Sequence, residues 1–321
     1  MRYMVGREIA RFSSGFGHPV RLLLEADANE EVLLVTTVPN GSEVTRWDIS
    51  TGERVWCYDE GTSGCNDEAL VHLPDGGVLL AIATEDGVEW WDALTGRYCP
   101  EMTWEDWTIW ALSVGSSPDG QPLLFGAGQN GSVYRWDATN GQLLGATPEG
   151  GGRGSMMAVE YLPLPDGRGL VVSGDDSGRI WRWDAWSGSP IVEPTAGNRS
   201  RVHIIRALPV AGDAMFVSSD GEGAVLERWS ALAGTPLYPS VKSGTDVYAL
   251  ATANVEGAAV MFAAGADNIV RAWDAVTGEP IGLSAEGTVV SVFTQSNGEV
   301  LMATSTARGD VIVYEFGSLA E

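Results

Sequence analysis

A chain of 321 residues with 44% hydrophobic and 19% charged residues can bury a large core, which excludes a disordered acidic tail. Its 43 Asp and Glu against 19 Lys and Arg give a formal charge of −24, so nucleic acids and anionic membrane surfaces would be repelled and neither is an expected partner. There is no apolar run of membrane-spanning length, and Met1 to Glu8 carries no apolar stretch of leader length, so the expected setting is a cytoplasm.

In chain order, Gly6-Arg7-Glu8-Ile9-Ala10-Arg11-Phe12 comes first, a strand-like segment with no neighbour nearby. Glu25-Ala26-Asp27-Ala28-Asn29-Glu30-Glu31 alternates oxygen-bearing side chains as a calcium loop does. It lacks the central glycine and reads as a polar hairpin turn. The governing pattern starts at Trp47-Asp48-Ile49-Ser50-Thr51-Gly52. It recurs at Trp91-Asp92, Trp136-Asp137, Trp183-Asp184, Trp229-Ser230 and Trp273-Asp274, each with a glycine five residues after the tryptophan, and a degenerate seventh copy is Tyr314-Glu315-Phe316. The separations of 44, 45, 47, 46, 44 and 41 residues fit the period of four-stranded propeller blades.

The second copy shows the unit: strands at Ala69 to Pro74, Val78 to Thr84, Val88 to Asp92 and Arg97 to Met102, separated by Asp75-Gly76, Glu85-Asp86-Gly87 and Thr95-Gly96. Glycine at such turns supplies positive φ, and apolar runs between them read as strands buried on both faces. Gly126-Ala127-Gly128-Gln129-Asn130-Gly131 matches a dinucleotide fingerprint only formally. No helix follows it to hold a pyrophosphate. Cys57, Cys65 and Cys99 read as reduced thiols, and Cys57, Cys65 and His72 lack zinc-site spacing. No metal or cofactor is expected, and no nucleophile elbow, phosphate loop or zinc-protease histidine pair points to an enzyme. After the seventh copy only Gly317 to Glu321 remain, so that unit lacks a fourth strand. Gly6 to Phe12 aligns with Gly278-Glu279-Pro280-Ile281-Gly282-Leu283 and supplies the missing strand.

These residues resemble the WD-repeat (WD40) family over essentially the whole chain. The resemblance implies an all-β fold spanning residues 1–321: one seven-bladed β-propeller with four antiparallel strands per blade. Its ring is closed by residues 6–12 beside 287–316. Family blades carry a Gly-His pair that joins a buried network with an Asp and the Trp. Here only Gly17-His18 fits, and His18, His72 and His203 are the only histidines. Composition rich in Ala, Gly and Asp and poor in Lys resembles that of a high-GC bacterium.

The resemblance also implies a partner-binding rim at the mouth of the central channel. It is built by the loops entering each innermost strand and the loops joining second and third strands. Alignment on the closing turns places Arg21, Glu68, Trp110, Met157, His203, Tyr248 and Val290 at one equivalent position there. Trp104-Glu105-Asp106-Trp107-Thr108-Ile109-Trp110 puts three tryptophans at a spacing of three in a loop outside the repeat positions, as interface anchors are placed. Inward packing is the competing role for them. Asp59-Glu60, Asp67-Glu68, Glu85-Asp86, Asp175-Asp176, Asp220, Glu222 and Asp267 predict a negative face suited to a basic partner. The expected function is a non-catalytic, monomeric scaffold or adaptor that binds a protein or peptide. Two alternatives stay open: an enzyme or small-ligand binder using His203, Tyr248, Glu68 and Arg21 in the channel, and an acidic inhibitor of a basic protein.

Overall fold

The protein is described from a computed structural model. It describes residues 2–27, 29–39, 41, 43–59, 64–148, 154–197, 200–210, 214–220 and 224–320, with the backbone alone at 5, 284 and 317–320. Ala28, Glu60 and Glu222 therefore lie outside the described residues.

Seven four-stranded antiparallel sheets follow one another, each a meander in chain order: residues 21–58, 67–105, 109–146, 156–196, 204–242, 247–286, and 289–320 together with Tyr3–Ser13. The first strand of each sheet touches the first strand of the next, from blade one around to seven and back to one. The sheets therefore form a closed ring, and the chain is a seven-bladed β-propeller. Continuous apolar runs make the second strands, so Val78–Ala83 and Val300–Ser305 are buried along their whole length. The core is divided among the seams: seven apolar clusters are present, one between each pair of adjacent blades. Trp91, Trp136, Trp183 and Trp229 of the repeat are almost completely enclosed there. The Nε1–H groups of Trp47, Trp183 and Trp229 donate to Thr36, Ser173 and Ser218 hydroxyls on the second strand. The chain, expected from its few histidines to lack the Gly-His network in most blades, uses these hydroxyls as the tryptophans' partners. His18 itself is exposed.

The Asp after five of the six repeat tryptophans closes a turn, and Ser230 takes that role after Trp229. Asp92 Oδ1 accepts from the N–H of Leu94 and Thr95, and Asp274 Oδ1 from Val276 and Thr277. The turn glycine is needed twice over at Gly278. Its φ is 73°, and an added Cβ would sit 2.8 Å from the Arg228 guanidinium. That arginine belongs to a set. Arg46, Arg135, Arg182 and Arg228 each precede a repeat tryptophan, and each reaches into the next blade to donate to backbone carbonyls of its turn. The acceptors are Leu94, Ala185 and Trp186, Leu232, and Ala275 and Val276 respectively. Burial lowers the pKa of Arg135, Arg182 and Arg228.

Ring closure is as expected, with a longer strand. Tyr3–Ser13 pairs antiparallel with the last strand, Arg7 opposite Glu315 and Phe12 opposite Val311. It also runs beyond blade seven to meet blade six at Gly282. The expected fourth strand of blade two is corrected. Arg97 to Met102 gives one bridge, Trp91 with Tyr98, and then a 3-10 turn at Pro100–Met102, while the strand itself is Trp104–Glu105. Pro100 has no N–H to give a ladder. Prolines shorten the fourth strands of blades four and five in the same way, to Thr195–Ala196 and Val241–Lys242.

Candidate functional site

The mouth of the channel is set by where each first strand begins. The pairing register matches Arg21, Asp67, Ala111, Ala158, Ile204, Ala249 and Val289 to equivalent second-strand residues, Thr37, Ala83, Ala127, Gly174, Ser219, Ala264 and Ser305. Trp110, Met157, His203 and Tyr248 each precede this position and share one place on the ring. Arg21, Glu68 and Val290 do not. Arg21 lies one residue further along its strand, and Glu68 and Val290 lie two. Counting back from the closing turn misses this because blades three, four and six carry a bulge at Trp110, Met157 and Tyr248. Each bulge turns its residue out of the seam. Tyr248 is 56% exposed, His203 is exposed, and Met157 and Trp110 are half-buried. Val290 points the other way, buried in the seam between blades six and seven.

The three-tryptophan loop divides. Trp104 turns inward, its ring 4.8 Å from Tyr134 and 5.3 Å from Trp136, and packs the seam between blades two and three. Trp107 faces out and is 42% exposed. The turn that carries it is pinned: Asp106 N–H donates to Asp86 O, Thr108 Oγ1 to Glu85 O, and Gln129 N–H to Thr108 O. Around the mouth, Asp59, Glu85, Asp86, Asp106, Asp176, Asp246 and Asp267 are exposed. Asp175, Asp67 and Asp220 are buried and leave the expected negative face. Asp175 is occupied internally, accepting from Ser177, from Arg179 N–H and from Trp181 Nε1.

Inside the channel the charges pair across blades. Arg21 of blade one holds Asp67 of blade two at 2.5 Å and Glu68 at 2.9 Å. Glu68 Oε2 also accepts from Thr37 Oγ1, and the Cys65 thiol donates to Thr37. Burial pushes that thiol well above its ordinary pKa, and Glu68 adds to the effect, so it stays protonated. Glu68 stands at a register place that holds Leu22, Leu112, Val159, Ile205, Leu250 and Val290 in the other six blades. A second pair, Glu160 and Arg206, spans blades four and five at 4.0 Å. Burial raises the Glu160 carboxyl, with Arg206 pulling against it. Carboxylates also satisfy the open inner edge of the ring: Asp67 accepts from Leu112 N–H and Glu160 from Ala207 N–H. Sequence reasoning missed this use of Asp67, Glu160 and Arg206, because only closure of the ring brings the first strands together.

Among the described residues, cavities at peripheral seams include one of about 800 Å³ between blades five and six and one of about 110 Å³ between blades three and four. His203 lines neither. Among the described residues no group of three or more His, Cys, Asp or Glu side chains could hold a metal ion. Among the described residues no helix is long and apolar enough to cross a membrane.

No protein-family model matches the chain, and no curated protein matches it. Among solved structures 1731 chains match. One is the crystal structure of the computationally designed Ika8 protein, at a TM-score of 0.60 and 19% identity, over 96% of this chain and 99% of that one. A likeness at that identity concerns the fold alone. The class is thus a seven-bladed β-propeller.

Proposed function

We propose that this propeller is of the WD-repeat kind and serves, as a cytoplasmic monomer, as a non-catalytic scaffold that binds a protein or peptide at the channel-mouth rim. The observation that carries this reading is the pair of exposed aromatics, Trp107 and Tyr248, on a mouth that also carries Met157, Trp110 and His203. Rigid aromatic side chains give much contact area at little entropic cost, and they dominate binding energy at interfaces. The exposed carboxylates around them suit a basic partner, whose encounter they would accelerate. Arg21 and Glu68 are already engaged with each other, so they position the mouth rather than meet the partner.

The test is affinity capture from the native organism, read by mass spectrometry, with the wild-type chain and the Trp107→Ala and Tyr248→Ala variants. A specific protein should be retained by the wild type and lost by roughly tenfold in either variant, with unchanged thermal unfolding. Capture that both variants leave intact would sink the aromatic rim. Release of the partner by moderate salt identifies it as basic.

A further inference from the structure

The seam between blades five and six is built unlike its neighbour. Between blades six and seven the fourth strands meet: Tyr3 pairs in parallel with Gly282, whose N–H donates to Arg2 O at 2.8 Å. Met4 is buried there in one cluster with Ile281 and Phe316. That seam is thus filled by an extended segment of the chain itself. At the seam between blades five and six the fourth strand of blade five is only Val241–Lys242, and the gap stays open as a groove of about 800 Å³. A groove of this size accommodates a ligand or several residues of an extended peptide.

Its lining combines apolar surface with one sign of charge. Ile269, 44% exposed, stands beside Val241, Trp273 and Leu283. Among the described residues, the charged residues of the lining are Arg228, Lys242 and Arg271, with no Asp or Glu, in a chain of net charge −24. Arg228 is committed to the carbonyls of Ala275, Val276 and Pro239, and Arg271 to Asp267. Lys242 is the single lysine of the sequence. It is exposed, and its ammonium makes no ion pair among the described residues.

We propose that this groove docks an extended, apolar segment of a partner protein that carries carboxylates, one of them on Lys242. The segment would lie along the seam as residues 2–4 lie along the next one. Its charge preference is opposite to that of the channel mouth, so the two surfaces would take different segments.

Selection from a displayed library of random peptides of about ten residues, long enough to span ~30 Å extended, against the whole folded chain tests this. The expected consensus mixes aliphatic residues with Asp or Glu, and the Lys242→Glu variant should weaken the selected peptides by about tenfold. Carbodiimide coupling should join a peptide carboxylate to Lys242, the only side-chain amine. Trp107→Ala should leave these peptides bound, which separates failure here from failure of the rim. The proposal is overturned if the selected peptides lack carboxylates, if Lys242→Glu leaves them bound, if coupling falls on the N-terminal amine, or if the selection enriches nothing.

Discussion

Glu68 occupies a place that six other blades give to a buried aliphatic side chain, and the cost of that burial is offset by Arg21 and Thr37. Removing a partner from a buried pair is more harmful than removing the charge altogether, because it leaves an uncompensated ion. Arg21→Ala should therefore destabilise by about 2–3 kcal/mol in denaturant unfolding, below the fully buried figure because a third of its side chain meets water. Glu68→Leu restores the residue type of the other blades and leaves Arg21 with Asp67, so its cost should stay under about 1 kcal/mol. The reverse order of these two variants would show that the pair does not set the seam. Glu160 gives a pH signature. Its carboxyl is raised above its ordinary value of 4.5, so the folded chain holds this proton more tightly than the unfolded one. The stability linked to Glu160 is fully present below pH 4.5 and is lost as pH rises through the folded value. Glu160→Gln keeps an acceptor for Ala207 N–H and removes the titration. Its stability relative to wild type should rise between pH 4 and pH 7, and a flat difference would contradict the assignment.

At the scale of the element, each blade is joined to the next by more than apolar contact. In four blades the arginine before the repeat tryptophan places its guanidinium on carbonyls of its neighbour's turn. Arg182→Ala should cost about 2–4 kcal/mol by combining a cavity with unpaired carbonyls. Arg182→Lys should recover little of it, since an ammonium cannot reach Leu232 O and Thr195 Oγ1 together as the forked group does. Thermal unfolding of both variants checks this. The arginine recurrence is visible in the sequence as Thr-Arg-Trp, Tyr-Arg-Trp, Trp-Arg-Trp and Glu-Arg-Trp, but its role is not, because its acceptors lie about one repeat away. Likewise the prolines that end the fourth strands are plain in the sequence. The groove that one short strand leaves depends on what the neighbouring blade presents.

For the whole molecule, closure is the step on which the ring depends. Deleting residues 1–13 would leave blade seven with three strands, expose the edge of Asp310–Ala320 and remove Met4 and Phe12 from two seams. The truncated chain should lose its single cooperative unfolding transition and associate. A synthetic peptide of residues 2–13 added in excess should restore the transition through mass action. Cooperative, monomeric unfolding of the truncated chain would mean that the ring closes without this strand.

Period and turn chemistry, which are local, are legible in one dimension: the even tryptophans announce seven blades, and the orphan copy at Tyr314 announces that the first strand belongs to the last sheet. The register of the first strands was legible only in part. Trp110, Met157, His203 and Tyr248 share one place on the ring, whereas Arg21, Glu68 and Val290 leave it and Trp104 turns inward. A bulge shifts register by one residue without changing composition, and a side chain's direction follows from register. Charge pairing in the channel and the open outer seam needed the closed ring, since each is made between strands some forty residues apart that only tertiary packing brings within reach.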